Sequence, residues 1–121
     1  MGIENNEVVI ATTWDDESIE TAKEFISNIS DDFRKLFCII PSVVNGKYTV
    51  ILGPDGSKKG WAISESGKAL RDLFVKFLEL HNHWEWVEVG YGEFGQKVLR
   101  GNCMNMYDDS DYCGKEMKET E

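Results

Sequence analysis

The sequence predicts an α+β domain in which two helices pack on one face of an antiparallel sheet. Three observations lead there. An Asn45-Gly46 pair joins two strand-like runs, two segments carry apolar residues at three- and four-residue spacing, and a β-branched run precedes the first of them. At 121 residues the chain is about the size of one domain and too short for two independent cores. Four Trp and six Phe supply a core without a metal or disulfide staple.

Val8-Val9-Ile10-Ala11-Thr12-Thr13 reads as a short buried strand. Trp14-Asp15-Asp16-Glu17-Ser18 follows, with acids and a hydroxyl suited to cap a helix and to complement its positive end. Ile19, Ala22, Ile26, Ile29 and Phe33 then form one apolar face, with Trp14 placed to staple the helix start. Leu36 to Val44 and Lys47 to Leu52 are the two arms of a hairpin. Asn-Gly supplies the two positive φ values of a type I′ turn, so a two-residue turn pairs Val43 with Tyr48 and Pro41 with Val50. The predicted core face is Phe37, Ile39, Pro41, Val43, Tyr48, Val50 and Leu52. Pro41 lacks an N–H donor, which places its strand at a sheet edge and leaves sheet-to-sheet homodimerisation open.

Gly53 to Gly60 is a turn-rich loop, and Ser64 or Ser66 is placed to cap a second helix. Leu70, Leu73, Phe74, Phe77, Leu78 and His81 form its apolar stripe. Trp84 to Val89 reads as a strand, Gly90 to Gly95 as a turn, and Lys97 to Arg100 as the pairing strand. Strand, helix, hairpin, helix, hairpin fits a ferredoxin-like βαββαβ order with an extra C-terminal strand. Residues 1–101 form the predicted domain, and residues 102–121 an acidic, flexible C-terminal tail with Asp108, Asp109 and Asp111.

The net charge of −9 opposes contact with phosphate backbones, so direct nucleic-acid binding is not expected and a partner with a basic surface is. Three cysteines, an odd number, with no secretory leader point to a reducing, cytoplasmic setting. No apolar run reaches membrane-spanning length.

Several motifs fail on their context. Gly90-Tyr91-Gly92-Glu93-Phe94-Gly95 has the glycine spacing of a dinucleotide site but precedes a strand, whereas such a site must open a helix. Cys103, Cys113, His81 and His83 lack the close cysteine pair of structural zinc, so no metal or other cofactor is expected. Cys38 reads as a small buried hydrophobe, and the pairs Asp15-Asp16 and Asp31-Asp32 as helix-flanking charges. No nucleophile stands beside a histidine, so the chain does not read as an enzyme.

Two binding sites remain. Trp84 and Trp86 lie on one side of a strand and, if exposed, anchor a protein partner together with Asp108, Asp109 and Asp111. Alternatively, Lys58, Lys59, Trp61, Ser64 and Ser66 stand before a helix N-terminus and would hold an anionic metabolite or nucleotide.

Pro54-Asp55-Gly56-Ser57-Lys58-Lys59-Gly60-Trp61, with Ser66-Gly67, Arg71, Phe74 and Trp84-Glu85-Trp86-Val87-Glu88-Val89, resembles a pattern in small phage- or prophage-encoded proteins of unassigned function. The resemblance covers the second half of the domain. It implies a viral accessory protein acting in the host cytoplasm and carries over no catalytic residue.

Overall fold

The computed structural model describes residues 5–57 and 61–103. It is an α+β structure with a five-stranded antiparallel sheet and three helices. In chain order these are β1 (Asn5–Thr13), α1 (Asp16–Ser27), the short α2 (Asp31–Arg34), β2 (Phe37–Pro41), β3 (Tyr48–Leu52), α3 (Ala62–Leu80), β4 (Glu85–Gly92) and β5 (Gly95–Gly101). The strands lie in the order β2-β3-β1-β4-β5, with β1 at the centre. The Pro41 strand is at an edge, where its missing donor costs no ladder bond.

Strand alternation sorts the side chains of β1. Val9, Ala11 and Thr13 are fully buried on one face, while Val8, Ile10 and Thr12 point to the other. Val9 sits opposite Leu52 and Glu88, and Ala11 opposite Val50 and Trp86, so these residues share the core face. Ile19 and Ala22 of α1 and Leu70, Phe74, Val75, Phe77 and Leu78 of α3 join the same core cluster. Aromatic rings fill its centre, with Phe25 stacked on Phe77 at 4.6 Å and Phe37 edge-on to Phe74 at 5.2 Å.

The β2–β3 hairpin differs from its predicted register by two residues. Pro41 pairs with Tyr48 and Ile39 with Val50, so Ser42 to Lys47 form a longer connection. Asn45 and Gly46 do take the positive φ values of 69° and 61°. The turn is widened by Ser42, whose backbone N–H donates to Lys47 O at 2.9 Å while its Oγ accepts from Lys47 N at 2.9 Å. Val43 is therefore in the loop and exposed rather than on the core face. A two-residue slip keeps Phe37, Ile39, Tyr48, Val50 and Leu52 on their predicted side, because strand periodicity is two, but Pro41, at the end of its strand, is exposed rather than in the core. Cys38, between the inward Phe37 and Ile39, is exposed on the outer face and is no core hydrophobe.

The helices also depart from expectation in detail. Asp15 caps α1, accepting from the backbone N–H and the Oγ of Ser18, both at 2.8 Å. That helix ends at Ser27, so Ile29 and Phe33 reach the core from beyond it. Trp14, expected to staple the helix start, lies half exposed, edge-on to His83 at 6.1 Å. Helix α3 begins at Ala62 with Trp61 at the cap position and no side-chain cap bond, so Ser64 and Ser66 lie inside the helix. Leu73 is half exposed, and Val75 and Arg71 are buried on the stripe instead. His81 ends the helix, its Nδ1 2.8 Å from Phe77 O.

Candidate functional site

Arg71 is the least expected of the buried residues. It stands one turn before Val75 and one turn after Gly67, on the α3 surface that faces the sheet. Its guanidinium meets three carboxylates: Nη2 lies 3.0 Å from Glu7 Oε1, Nη1 3.5 Å from Asp55 Oδ2, and Nε 3.5 Å from Glu88 Oε2. The last contact is ionic but lacks hydrogen-bond geometry, which leaves Nε without a hydrogen-bond partner among the described residues. The side chains of Arg71, Asp55 and Glu88 are all nine-tenths or more buried. Such charges are tolerated in a core only when paired, so the three acids and the arginine depend on one another.

Local sequence features assemble this cluster. Asp55 is turned inward by its own loop, with Oδ1 accepting from Ser57 N at 2.8 Å and from Ser57 Oγ at 2.5 Å. Gly67 leaves room for it, since a Cβ there would fall 1.7 Å from Asp55 Oδ2. At the other end, β5 carries one extra residue at Leu99, because Glu88 pairs with Arg100 while Val89 pairs with Val98. In a regular ladder Arg100 would point to the outer face. The bulge turns it inward, where Nε donates to Glu88 Oε1 and Nη2 donates to Asp72 Oδ1 at 2.6 Å.

The charges respond to this packing. Burial opposes ionisation of Asp72, but hydrogen bonds from Arg100 and Lys68 outweigh it and hold its pKa below the ordinary aspartate value. For Arg100, burial opposes the cation, yet Glu88 and Asp72 more than compensate and raise its pKa. Asp15 is held low by the Ser18 side-chain and backbone hydrogen bonds.

Over this cluster opens a cleft of about 660 Å³, lined among others by Ser57, Ser64, Lys68, Arg71 and Arg100. It lies beside the predicted ligand loop. Ser64 is in its wall, Ser66 and Trp61 are exposed nearby in sequence, and Lys58 and Lys59 lie outside the described residues. Among the described residues the lining holds four acids, Glu7, Asp55, Glu65 and Glu88, and three bases, Lys68, Arg71 and Arg100. All three of those bases are already engaged by carboxylates, so a bound anion would have to displace them.

The predicted aromatic anchors are corrected outright. Trp84 and Trp86 do point to the same side, but it is the core side, and they are only 4% and 3% exposed. Their indole N–H groups have no hydrogen-bond partner among the described residues. Asn102 fixes this segment: its Nδ2 donates to Trp84 O at 2.7 Å and its Oδ1 accepts from Trp86 N at 2.9 Å. Asn102 therefore belongs to the fold rather than to a tail. Asp108, Asp109 and Asp111 lie outside the described residues.

What is exposed is different. Asp16, Glu17, Glu20 and Glu24 line the solvent side of α1, followed by Asp31 and Asp32 in α2. Lys23 pairs with Glu20 at 3.3 Å and Arg34 with Asp31 at 3.1 Å. Trp14, 51% exposed, stands at the head of this run. The run was legible as helix-flanking acids, but its continuity required knowing which way α1 faces.

Among the described residues no group of three His, Cys, Asp or Glu is placed to hold a metal ion, and no helix is long and apolar enough to cross a membrane. Comparison with protein-family models, with curated proteins and with solved structures finds no match.

Proposed function

We propose that this chain is a small acidic binding protein that docks on a basic protein surface through the outer side of α1, with Trp14 as an apolar anchor. The observation that carries the reading is the exposed acidic run from Asp16 to Asp32 beside a half-exposed indole. Glu17 and Glu24 are two helical turns apart, about 10 Å, so their charges form a stripe rather than a point. A stripe of like charge steers a basic partner and sets its orientation, and an adjacent aromatic supplies the desolvated contact that charge alone does not. A surface of this kind suits blocking a basic or nucleic-acid-binding site. The viral or prophage setting and the cytoplasm of a host belong to the same proposal, on the resemblance between residues 54 and 89. The strand order and the core shared by α1 and α3 support the ferredoxin-like βαββαβ arrangement, with both helices on one face and β5 added.

The test is affinity capture on the full chain from an extract of the source or host cells. A stoichiometric partner released as salt rises from about 0.1 to 0.5 M supports the proposal, because screening weakens exposed charge contacts. A partner indifferent to salt contradicts it.

The cleft favours a second reading, capture of a small ligand, since its size falls in the range of ligand pockets. The pairing of Lys68, Arg71 and Arg100 with carboxylates weighs against the anionic metabolite or nucleotide. A thermal-shift panel decides, because a ligand that binds only the folded form raises its melting temperature. A flat response to nucleotides removes this reading.

A further inference from the structure

We propose that the outer face of the sheet is a homodimer interface, the occupant being a second copy of this chain packed face to face. The described helices place their buried side chains on the opposite face. On the outer face, Ile10 sits between Ile51 and Val87 across three strands, and Val8, Val89 and Val98 form a parallel row. Among the strand positions of this face Glu85 is the only charged side chain, in a chain that is 29% charged. The face is apolar and accessible mainly at its margins, with Val98 66% and Ile40 45% exposed on the edge strands, while Ile10, Ile51, Val87 and Val89 are half-buried and Val8 is 9% exposed. Contiguous apolar surface of this kind marks an interaction site.

Charge selects the occupant. A basic partner gains almost nothing here, because there is one carboxylate to meet, so this face and the acidic side of α1 have different clients. A second sheet face does fit, since two twisted apolar sheets pack at about 10 Å with their strands roughly aligned. With the two-fold axis along β1, Glu85 of one copy lies over Thr49 of the other, and the two carboxylates do not meet. Thr49 is already bonded to Thr12, Oγ1 to Oγ1 at 2.9 Å, and retains acceptor and donor capacity for such a neighbour. Five strands about 4.8 Å apart and about 20 Å long present roughly 500 Å² per copy. Doubled, this is about the 1,000 Å² in total that a specific interface needs, which makes the dimer reversible rather than obligate.

Sedimentation equilibrium or light scattering on the full chain tests this. The result expected is a concentration-dependent mass rising from 13.8 kDa toward twice that value. Added salt should strengthen the dimer, because two copies of charge −9 repel one another. Ile51→Lys should raise the dissociation constant more than about tenfold by placing an unpaired cation in the interface. Val98→Lys, at a well-exposed strand position that tolerates the change, should act in the same direction with an unchanged circular dichroism spectrum. A chain that stays at 13.8 kDa up to about millimolar concentration overturns the proposal, and so does a dimer that survives both substitutions. In a monomer whose outer-face amides are protected from hydrogen exchange only when residues 104–121 are present, the chain covers itself, and the dimer proposal falls. None of these outcomes bears on the acidic side of α1, which is not part of this face.

Discussion

Asp55 occupies the space that a side chain at Gly67 would need: a Cβ at position 67 would fall 1.7 Å from its Oδ2. The glycine in the middle of α3 therefore serves a packing purpose. It lets a loop carboxylate reach Arg71 between the helix and the sheet. Gly67→Ala should destabilise the fold by about 1–2 kcal/mol, although alanine has the better helix propensity. Asp55 cannot move aside without losing Ser57 and Arg71 together. Urea denaturation measures the change, and a gain in stability would show that the loop yields easily.

Arg71 should be more sensitive to removal than any surface charge. Arg71→Met leaves Glu7, Asp55 and Glu88 facing one another without their shared cation. A loss of about 3–5 kcal/mol is expected, as for other broken buried pairs. Replacing Arg71 together with Glu88 by apolar residues should recover part of it, since two charges are then removed at once. A double-mutant cycle by chemical denaturation checks both statements.

The pH dependence follows from two aspartates. Asp15 and Asp72 both have folded-state pKa values held below the ordinary value of about 3.9. A depressed carboxylate contributes stability that is present above its unfolded pKa and is lost as pH falls through the folded one. Stability should therefore not fall on their account down to about pH 4 and should drop below it. Asp15→Ala should lower the melting temperature at neutral pH and flatten that acid-side drop, because the α1 cap is gone in both regimes. Thermal unfolding followed between about pH 2 and 7 measures it.

The indoles test the division between core and surface. Trp84→Ala and Trp86→Ala should each cost about 3–5 kcal/mol by leaving cavities under the sheet. Trp14→Ala, at a half-exposed position, should cost far less. Equal and small losses at all three positions would contradict the buried placement of Trp84 and Trp86.

Much of the fold was legible in the sequence, and the misses have physical causes. The β-branched run, the hairpin and the α3 stripe each carry a period, and a period survives local error. The hairpin shows this, because its two-residue slip left Phe37, Ile39, Val50 and Leu52 on the predicted side. For Trp84 and Trp86 the sequence could tell that both share a side, but not which side. Val87 and Val89 are as apolar as the indoles, and the inward Glu88 makes the core face look like the polar one. Arg71 could have been suspected from the line Gly67, Arg71, Phe74, Leu78, where a lone cation sits at core spacing. Its partners could not, because Glu7, Asp55 and Glu88 come from three separate segments. The bulge at Leu99, which turns Arg100 inward, has no composition signal at all. The acidic run was visible as residues, but its role as a surface depends on the side of α1 that the core leaves free.

The most direct measurement of the central claim is affinity capture with the intact chain beside a Glu17→Gln/Glu20→Gln/Glu24→Gln variant and a Trp14→Ala variant. The three glutamates are exposed and outside the buried cluster, so the fold should be unchanged by circular dichroism. The account predicts a partner held by the intact chain, weakened at least about tenfold by the charge variant and also weakened by Trp14→Ala. A partner bound equally by all three proteins would contradict it and place the binding surface elsewhere on the molecule.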